Sequence, residues 1–246
     1  VAHRDEIVAF ADELLDVSSH PDYGPIGLQV IGADEVTSIA CGVSASRELF
    51  EHTAAVGARM VIVHHGLFWD NEPRVVDARL KGRLKALFDG DITLAAYHLA
   101  LDAHPEIGNN ALLARALGVE VEEVFEVGFG GSLPEPVSAD AFTKRVREVL
   151  GREPLAFQYG PAEVRRVAIV SGGAASLLTK AAANGYDLFV TGEPAEPTMM
   201  TARELGIHFI AGGHYATERL GVQALSERLA AQFELEWHFI ELTNPV

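Results

Sequence analysis

Short, wholly apolar runs recur along this chain, and each is followed by a stretch in which apolar residues return at helical spacing. Ile39-Ala40-Cys41-Gly42-Val43, Met60-Val61-Ile62-Val63 and Ile92-Thr93-Leu94-Ala95-Ala96-Tyr97 form one series. A run from Val167, then Leu188-Phe189-Val190, then Ile207-His208-Phe209-Ile210-Ala211 form a second. Apolar runs of this length, bounded by turn residues, read as strands covered on both faces. The spacing predicts helices over about 4–17, 77–89, 108–117, 197–205 and 217–231, and Ser138 reads as the N-cap of a helix through Leu150. Strands alternating with helices in this way imply parallel pairing, so the fold class is α/β.

The two series match. Residues 39–65 and 167–193 both run strand, glycine-containing turn, helix, glycine, strand. Gly57 and Gly185 each sit just past the helix, where a left-handed residue closes it. The pattern is that of an internal duplication. The stretch Gly128-Phe129-Gly130-Gly131-Ser132-Leu133-Pro134-Glu135-Pro136 has no helical period and reads as the join. Two α/β domains are therefore expected, 1–127 and 128–246. The last strand alternates Leu235, Trp237 and Phe239 against Glu236, His238 and Ile240. Its segment, 234–246, is free to pack back on the first domain, which blurs the boundary.

Composition narrows the classes. A chain of 246 residues with 48% hydrophobic content holds a substantial core. A net charge of -16 sets the bare surface against nucleic acid and anionic membrane. Bound divalent cations would reverse that sign locally, so a small anionic substrate stays compatible. Cys41 is the one cysteine, which leaves no intrachain disulfide and no thiolate metal cage; its apolar setting reads as a plain buried thiol. No apolar stretch reaches the roughly 18 residues of a membrane span. Val1-Ala2-His3-Arg4-Asp5 lacks a secretory apolar core, and a cytoplasmic location is the expectation.

The chemistry lies at the ends of the apolar runs. His64 and His65 close one, and His98 and His214 close or follow two others. Asp102 follows His98 by four residues and Glu218 follows His214 by four, a spacing that puts both groups on one side of a helical turn. Ligands of open α/β sheets gather beyond the carboxyl ends of the strands. Imidazoles and carboxylates are donors for divalent transition metals, and six such groups exceed one mononuclear site. The pattern predicts a two-metal centre, with Asp102 and Glu218 as bridging or terminal oxygen ligands. Glu193 holds, in the second half, the slot of His65 in the first. It reads as a group orienting a ligand imidazole, as a general base, or as a helix N-terminal carboxylate. Ser171-Gly172-Gly173 reads as a tight turn, with anion binding at a helix N-terminus as the alternative. His3, His20, His52, His104 and His238 lack the strand-end setting and read as ordinary residues. No phosphate-binding loop, nucleophile elbow or dinucleotide fingerprint is present.

Six segments together resemble the GTP cyclohydrolase 1 type 2 (NIF-three-like) family in its short form. They are Gly24-Pro25-Ile26-Gly27-Leu28-Gln29-Val30, Val63-His64-His65-Gly66-Leu67-Phe68-Trp69, Tyr97-His98-Leu99-Ala100-Leu101-Asp102, Gly108-Asn109-Asn110, Thr191-Gly192-Glu193 and Gly213-His214-Tyr215-Ala216-Thr217-Glu218. The resemblance implies two interlinked, internally duplicated α/β domains with a dinuclear metal site in the cleft between them, and a toroidal homohexamer. It implies that His64, His65, Asp102, His214 and Glu218 are the metal ligands, with His98 beside them as ligand or catalytic neighbour. The metals would be two divalent ions per subunit: zinc, iron, manganese, cobalt or nickel. Leu99 and Ala100 stand where the family usually has Thr and Asn, a change at the substrate side and not at the ligands. The implied activity is metal-dependent hydrolysis of a nucleotide or related small molecule, with His98 or Glu193 moving protons. The alternative is a non-catalytic protein that binds or handles metal, or a regulatory scaffold.

Overall fold

The computed structural model describes residues 1–246. The chain divides into two compact units: Val1–Leu101 with Gly221–Thr243, and Asp102–Leu220 with Asn244–Val246.

The first unit opens with strand β1 (Ala2–His3) and helix α1 (Arg4–Leu14), whose first turn is capped by the His3 ring accepting from the Asp5 N–H. Asp16, with φ of 46°, ends the predicted helix early. Next come β2 (Gly27–Val30), β3 (Glu35–Val36), β4 (Ser38–Ser44), α2 (Arg47–Ala55), β5 (Met60–His65), α3 (Ala78–Asp89) and β6 (Thr93–Ala96). Ser46 caps α2 by accepting from Leu49 N–H at 3.1 Å, an interaction worth about 1 kcal/mol. Gly57, at φ of 77°, closes α2 as the spacing predicts. Strands β4, β5 and β6 pair in parallel, and β2 runs antiparallel along β6. Val61, Val63, Leu94 and Ala96 point to one face with Leu49, Phe50 and Leu87; Ile39, Cys41 and Ile62 are buried on the other. Both faces are covered, which is why the strands read as unbroken apolar runs rather than alternating ones.

Helix α4 (Leu99–Ala103) carries the chain out of the first unit. The second unit holds α5 (Asn109–Ala116), β7 (Glu120–Phe125), β8 (Gly128–Val137), α6 (Ala139–Leu150), β9 (Leu155–Gln158), β10 (Val164–Ile169), α7 (Leu178–Ala183), β11 (Leu188–Thr191), α8 (Thr198–Leu205), β12 (His208–Ala211) and α9 (His214–Thr217). Strands β10, β11 and β12 are parallel, and β9 runs antiparallel along β12. The duplication therefore includes the antiparallel edge strand, β2 in one copy and β9 in the other. Helix α10 (Arg219–Phe233) starts in this unit and returns the chain to the first. There β13 (Glu236–Phe239) pairs in parallel with β4.

The glycine-rich stretch taken from the sequence as a linker is instead β8, a ten-residue strand between β7 and β10. Its glycines serve close approach: a Cβ at Gly130 would lie 1.7 Å from the Tyr186 hydroxyl, and one at Gly131 would lie 2.0 Å from the Glu120 carbonyl. Small residues demanded by packing mimic a loop in a one-dimensional reading. The division expected at 127/128 accordingly falls in the turn between β7 and β8, and the units part at Leu101/Asp102.

Candidate metal centre

The carboxyl ends of β5 and β6 place three imidazoles together in the first unit. One ring nitrogen from each of His64, His65 and His98 lies within 4.8 Å of the others. Adjacent residues on an ideal strand face opposite ways, yet the His64 and His65 ring centroids are only 4.8 Å apart.

Each ring is held by its Nδ1. His64 is fully buried, and its Nδ1 lies 2.9 Å from the Tyr97 carbonyl oxygen. A carbonyl only accepts, so Nδ1–H donates and the lone pair is left on Nε2. His98 Nδ1 lies 2.7 Å from Asp22 Oδ1 and follows the same logic. His65 Nδ1 meets Ser44 Oγ at 2.9 Å, from the residue opposite it in β4. A ring tethered through one nitrogen is the usual arrangement for metal-binding histidine.

Asp22 carried no role in the sequence reading. Its carboxylate takes the His98 ring, the Leu99 N–H at 2.8 Å and the Tyr23 N–H at 2.7 Å. Burial works to raise its pKa, but the His98 hydrogen bond and charge and the two backbone donors together hold it below the ordinary carboxylate range. No motif marked it, since an aspartate beside a glycine-proline turn is common.

In the second unit Asp102, Glu218 and His214 come together beside the ends of β10, β11 and β12. Oxygens of the buried Asp102 and Glu218 lie within 4.8 Å of each other. His214 Nε2 is 3.1 Å from Glu218 Oε2, and its Nδ1 is 3.1 Å from Glu193 Oε1. The hydrogen bond to Glu218 raises the His214 pKa to about 9; burial opposes it, and Glu193 adds to it. A metal at Nε2 must displace that proton, while Glu193 keeps hold of Nδ1. Glu193 thus touches a ligand-type imidazole directly.

Asp102 is itself held. Asn109 Nδ2 donates to its Oδ1 at 2.9 Å and Ser171 Oγ donates at 3.3 Å. The buried Asn110 accepts from Ser171 N–H at 2.7 Å and donates to the carbonyls of Asp102 and Val127. Ser171-Gly172-Gly173 is a tight turn, as read, with a further duty. Gly172 has φ of 66°, and a Cβ there would stand 2.1 Å from Glu218 Oε1 and 3.1 Å from His214 Nε2. Only glycine lets this turn pass beneath the carboxylate. Thr217 Oγ1 accepts from Gly172 N–H at 3.1 Å and ties the turn to α9. Other histidines do structural work: His208 accepts from Gly160 N–H and donates to the Pro161 carbonyl, and His104 caps the turn at Glu106 and Ile107.

Imidazole and carboxylate donors with tethered rings fit a divalent transition metal, and no thiolate takes part, since Cys41 is buried in β4. Fold and donor set together define a duplicated α/β protein with His, Asp and Glu groups at its strand ends that could hold a metal ion. The chain belongs to the Duf34/NIF3 (NGG1p interacting factor 3) family, whose model matches residues 2–245. A Pseudomonas aeruginosa protein named GTP cyclohydrolase 1 type 2 homolog is 47% identical over 245 residues, covering 97% of each chain. The solved structure of protein ybgI, described as of unknown function, superposes with a TM-score of 0.96 at 43% identity, covering 99% of this chain and 100% of that one. The structure of TTHA1606 from Thermus thermophilus gives 0.93 at 37% identity, with 99% and 100% covered. No helix is long and apolar enough to cross a membrane.

Proposed function

We propose that the imidazoles of the first unit and the carboxylate–imidazole set of the second hold one pair of divalent cations, and that the protein is a metal-dependent hydrolase of a nucleotide or related small molecule. In this reading His64, His65, Asp102, His214 and Glu218 are the ligands. The observation that carries it is the tethering of the rings: the Tyr97 carbonyl and Asp22 hold His64 and His98 by Nδ1, so each turns its Nε2 lone pair inward. Chain geometry favours a shared centre, because α4 takes the backbone from His98 to Asp102 in little more than one helical turn. The substrate class comes from the relatives, several of which bear the name GTP cyclohydrolase 1 type 2 homolog.

A bound cation pair would supply Lewis acidity and a water nucleophile available at neutral pH. The chain's own groups would orient and move protons. His98, held by Asp22, can take or return a proton at Nε2. Glu193 holds His214 in one tautomer. Asn109 and Ser171 keep one Asp102 oxygen occupied and direct the other. A ring of six copies belongs to the same proposal, and light scattering tests it: a monomer at micromolar concentration counts against it.

The test of the activity is elemental analysis of protein as purified, paired with nucleotide turnover. His98→Ala should retain metal and lose turnover. Metal-loaded protein that turns over neither nucleotide nor phosphoester would favour a metal-handling role instead.

A further inference from the structure

Strand β2 is irregular at Gln29. Its neighbours Leu28 and Val30 pair with Ala95 and Leu94, consecutive residues of β6, so Gln29 is the extra residue of a bulge. A bulge bends its strand and re-aims a side chain, and bulges recur next to functional sites. Here the amide is bonded at both ends. Gln29 Oε1 accepts from Leu67 N–H at 2.7 Å, and Gln29 Nε2 donates to the Pro25 carbonyl at 2.8 Å. One partner only donates and the other only accepts, so a single orientation of the amide satisfies both. Gly66 makes room for it: a Cβ there would lie 2.4 Å from either polar atom of that amide.

The two partners belong to the two segments that flank His98. Pro25 lies three residues beyond Asp22, whose carboxylate holds His98 Nδ1 at 2.7 Å. Leu67 lies two residues before Trp69, whose ring meets His98 edge-on with centroids 5.1 Å apart. The segments also touch directly. Asp70 N–H donates to the Tyr23 carbonyl at 2.8 Å, and a Cβ on Gly24 would stand 2.4 Å from the Phe68 carbonyl oxygen. Gln29 lines the narrow space between them, together with Asp22, Phe68, Trp69 and His98.

We propose that Gln29 is a positioning residue for His98. By clasping residues 22–26 to residues 66–70 it keeps Asp22 on Nδ1 and Trp69 against the ring, and so fixes the direction of the Nε2 lone pair. It touches no reacting atom. This role deepens the reading of His98 as the group that moves a proton, and rests on that reading where turnover is the readout. His64 and His65 are tethered by the Tyr97 carbonyl and Ser44 instead, so the clasp serves His98 and leaves the metal ligands alone.

Gln29→Met keeps the length of the side chain and removes both bonds. Gln29→Glu can still accept from Leu67 N–H but turns an acceptor on the Pro25 carbonyl. Histidine ring NMR, metal content, melting temperature and nucleotide turnover are measured on both, on Asp22→Asn and on the Gln29→Met, Asp22→Asn double variant. Gln29→Met should stay folded with its metal, divide His98 between its two tautomers, and lower kcat about tenfold with KM little changed. Gln29→Glu should match it at His98 while Leu67 N–H keeps its protection from hydrogen exchange. The double variant should be little worse than Asp22→Asn alone, because both changes act through one carboxylate. If Gln29→Met fails to fold, Gln29→Glu carries the same tautomer test. A folded variant with His98 in one tautomer, losses that simply multiply in the double variant, or loss of metal on Gln29→Met overturns the proposal. A divided His98 in protein whose parent turns over no nucleotide removes the hydrolase reading and leaves the clasp standing. Nucleotide turnover that survives Gln29→Met with His98 undivided does the reverse.

Discussion

Replacing Asp22 with asparagine changes almost no volume and tests how the histidine cluster is held. The native carboxylate accepts from three donors, His98 Nδ1–H at 2.7 Å, Tyr23 N–H at 2.7 Å and Leu99 N–H at 2.8 Å. Asparagine has one oxygen and one amide nitrogen. If the oxygen faces Leu99, the amide meets His98 and donates to Nδ1, which moves the ring proton to Nε2 and removes that lone pair from the cluster. If the oxygen faces His98, the amide opposes the Leu99 N–H and a buried donor goes unmet, at about 1–3 kcal/mol. The first outcome costs the charge-assisted bond, about 2 kcal/mol, and should lower the melting temperature by roughly 4–8 °C. Turnover should fall about 10–100-fold with metal retained, the range for groups that orient an imidazole at a metal site. The assays are competitive metal titration with a chromophoric chelator, and histidine ring NMR to report the tautomer. An Asp22→Asn protein with unchanged turnover and His98 tautomer, or one that loses its metal, would refute the reasoning. Because the Asp22 pKa lies below its ordinary value, its contribution to stability should be complete above about pH 4 and be lost at more acidic pH.

Gly172→Ala should cost about 1–3 kcal/mol and reduce bound metal, since the new methyl would meet Glu218 Oε1 at a position with φ of 66°; an unchanged melting temperature and metal content would contradict that. Cys41, pushed up to about 12 by burial, should resist thiol reagents until the protein unfolds. The unfolded thiol ionises first, so stability should fall as pH rises above about 9, by about 1.4 kcal/mol at pH 10 from this group. Denaturant titrations of wild type and Cys41→Ala across that range measure it, and equal slopes would count against it. Chelation should lower the melting temperature by an amount that grows with metal affinity, because the clusters exist only in the folded chain; calorimetry with and without chelator reads this directly.

The duplication and the six ligand-type residues could be read from sequence because buried parallel strands leave long apolar runs and each ends in a chemically conspicuous residue. What escaped notice did so for definite reasons. β8 looked like a linker because its glycines answer to Tyr186 and to the β7 backbone, partners that adjoin it only after folding. β9 escaped because a four-residue edge strand with partly exposed positions carries little periodicity. Asp22 reaches His98 across 76 residues, and Ser171 reaches Asp102 across 69, so no local spacing announced either. Asn109 and Asn110 stood out only as part of a familiar segment; their work, holding Asp102 and the Ser171 turn, is visible in three dimensions alone. The contact of Glu193 with His214 follows from how β11 and β12 end side by side.

The central claim, that two sets of ligands share a pair of cations, is tested most directly by anomalous scattering from crystals of untreated protein. The account predicts two peaks per chain, roughly 3.5–4 Å apart, each within bonding distance of a histidine from the His64–His65 pair and of Glu218 or Asp102. A map with no peak at these side chains, or a lone ion held by His64, His65 and His98 with His214 and Glu218 turned away, would contradict it.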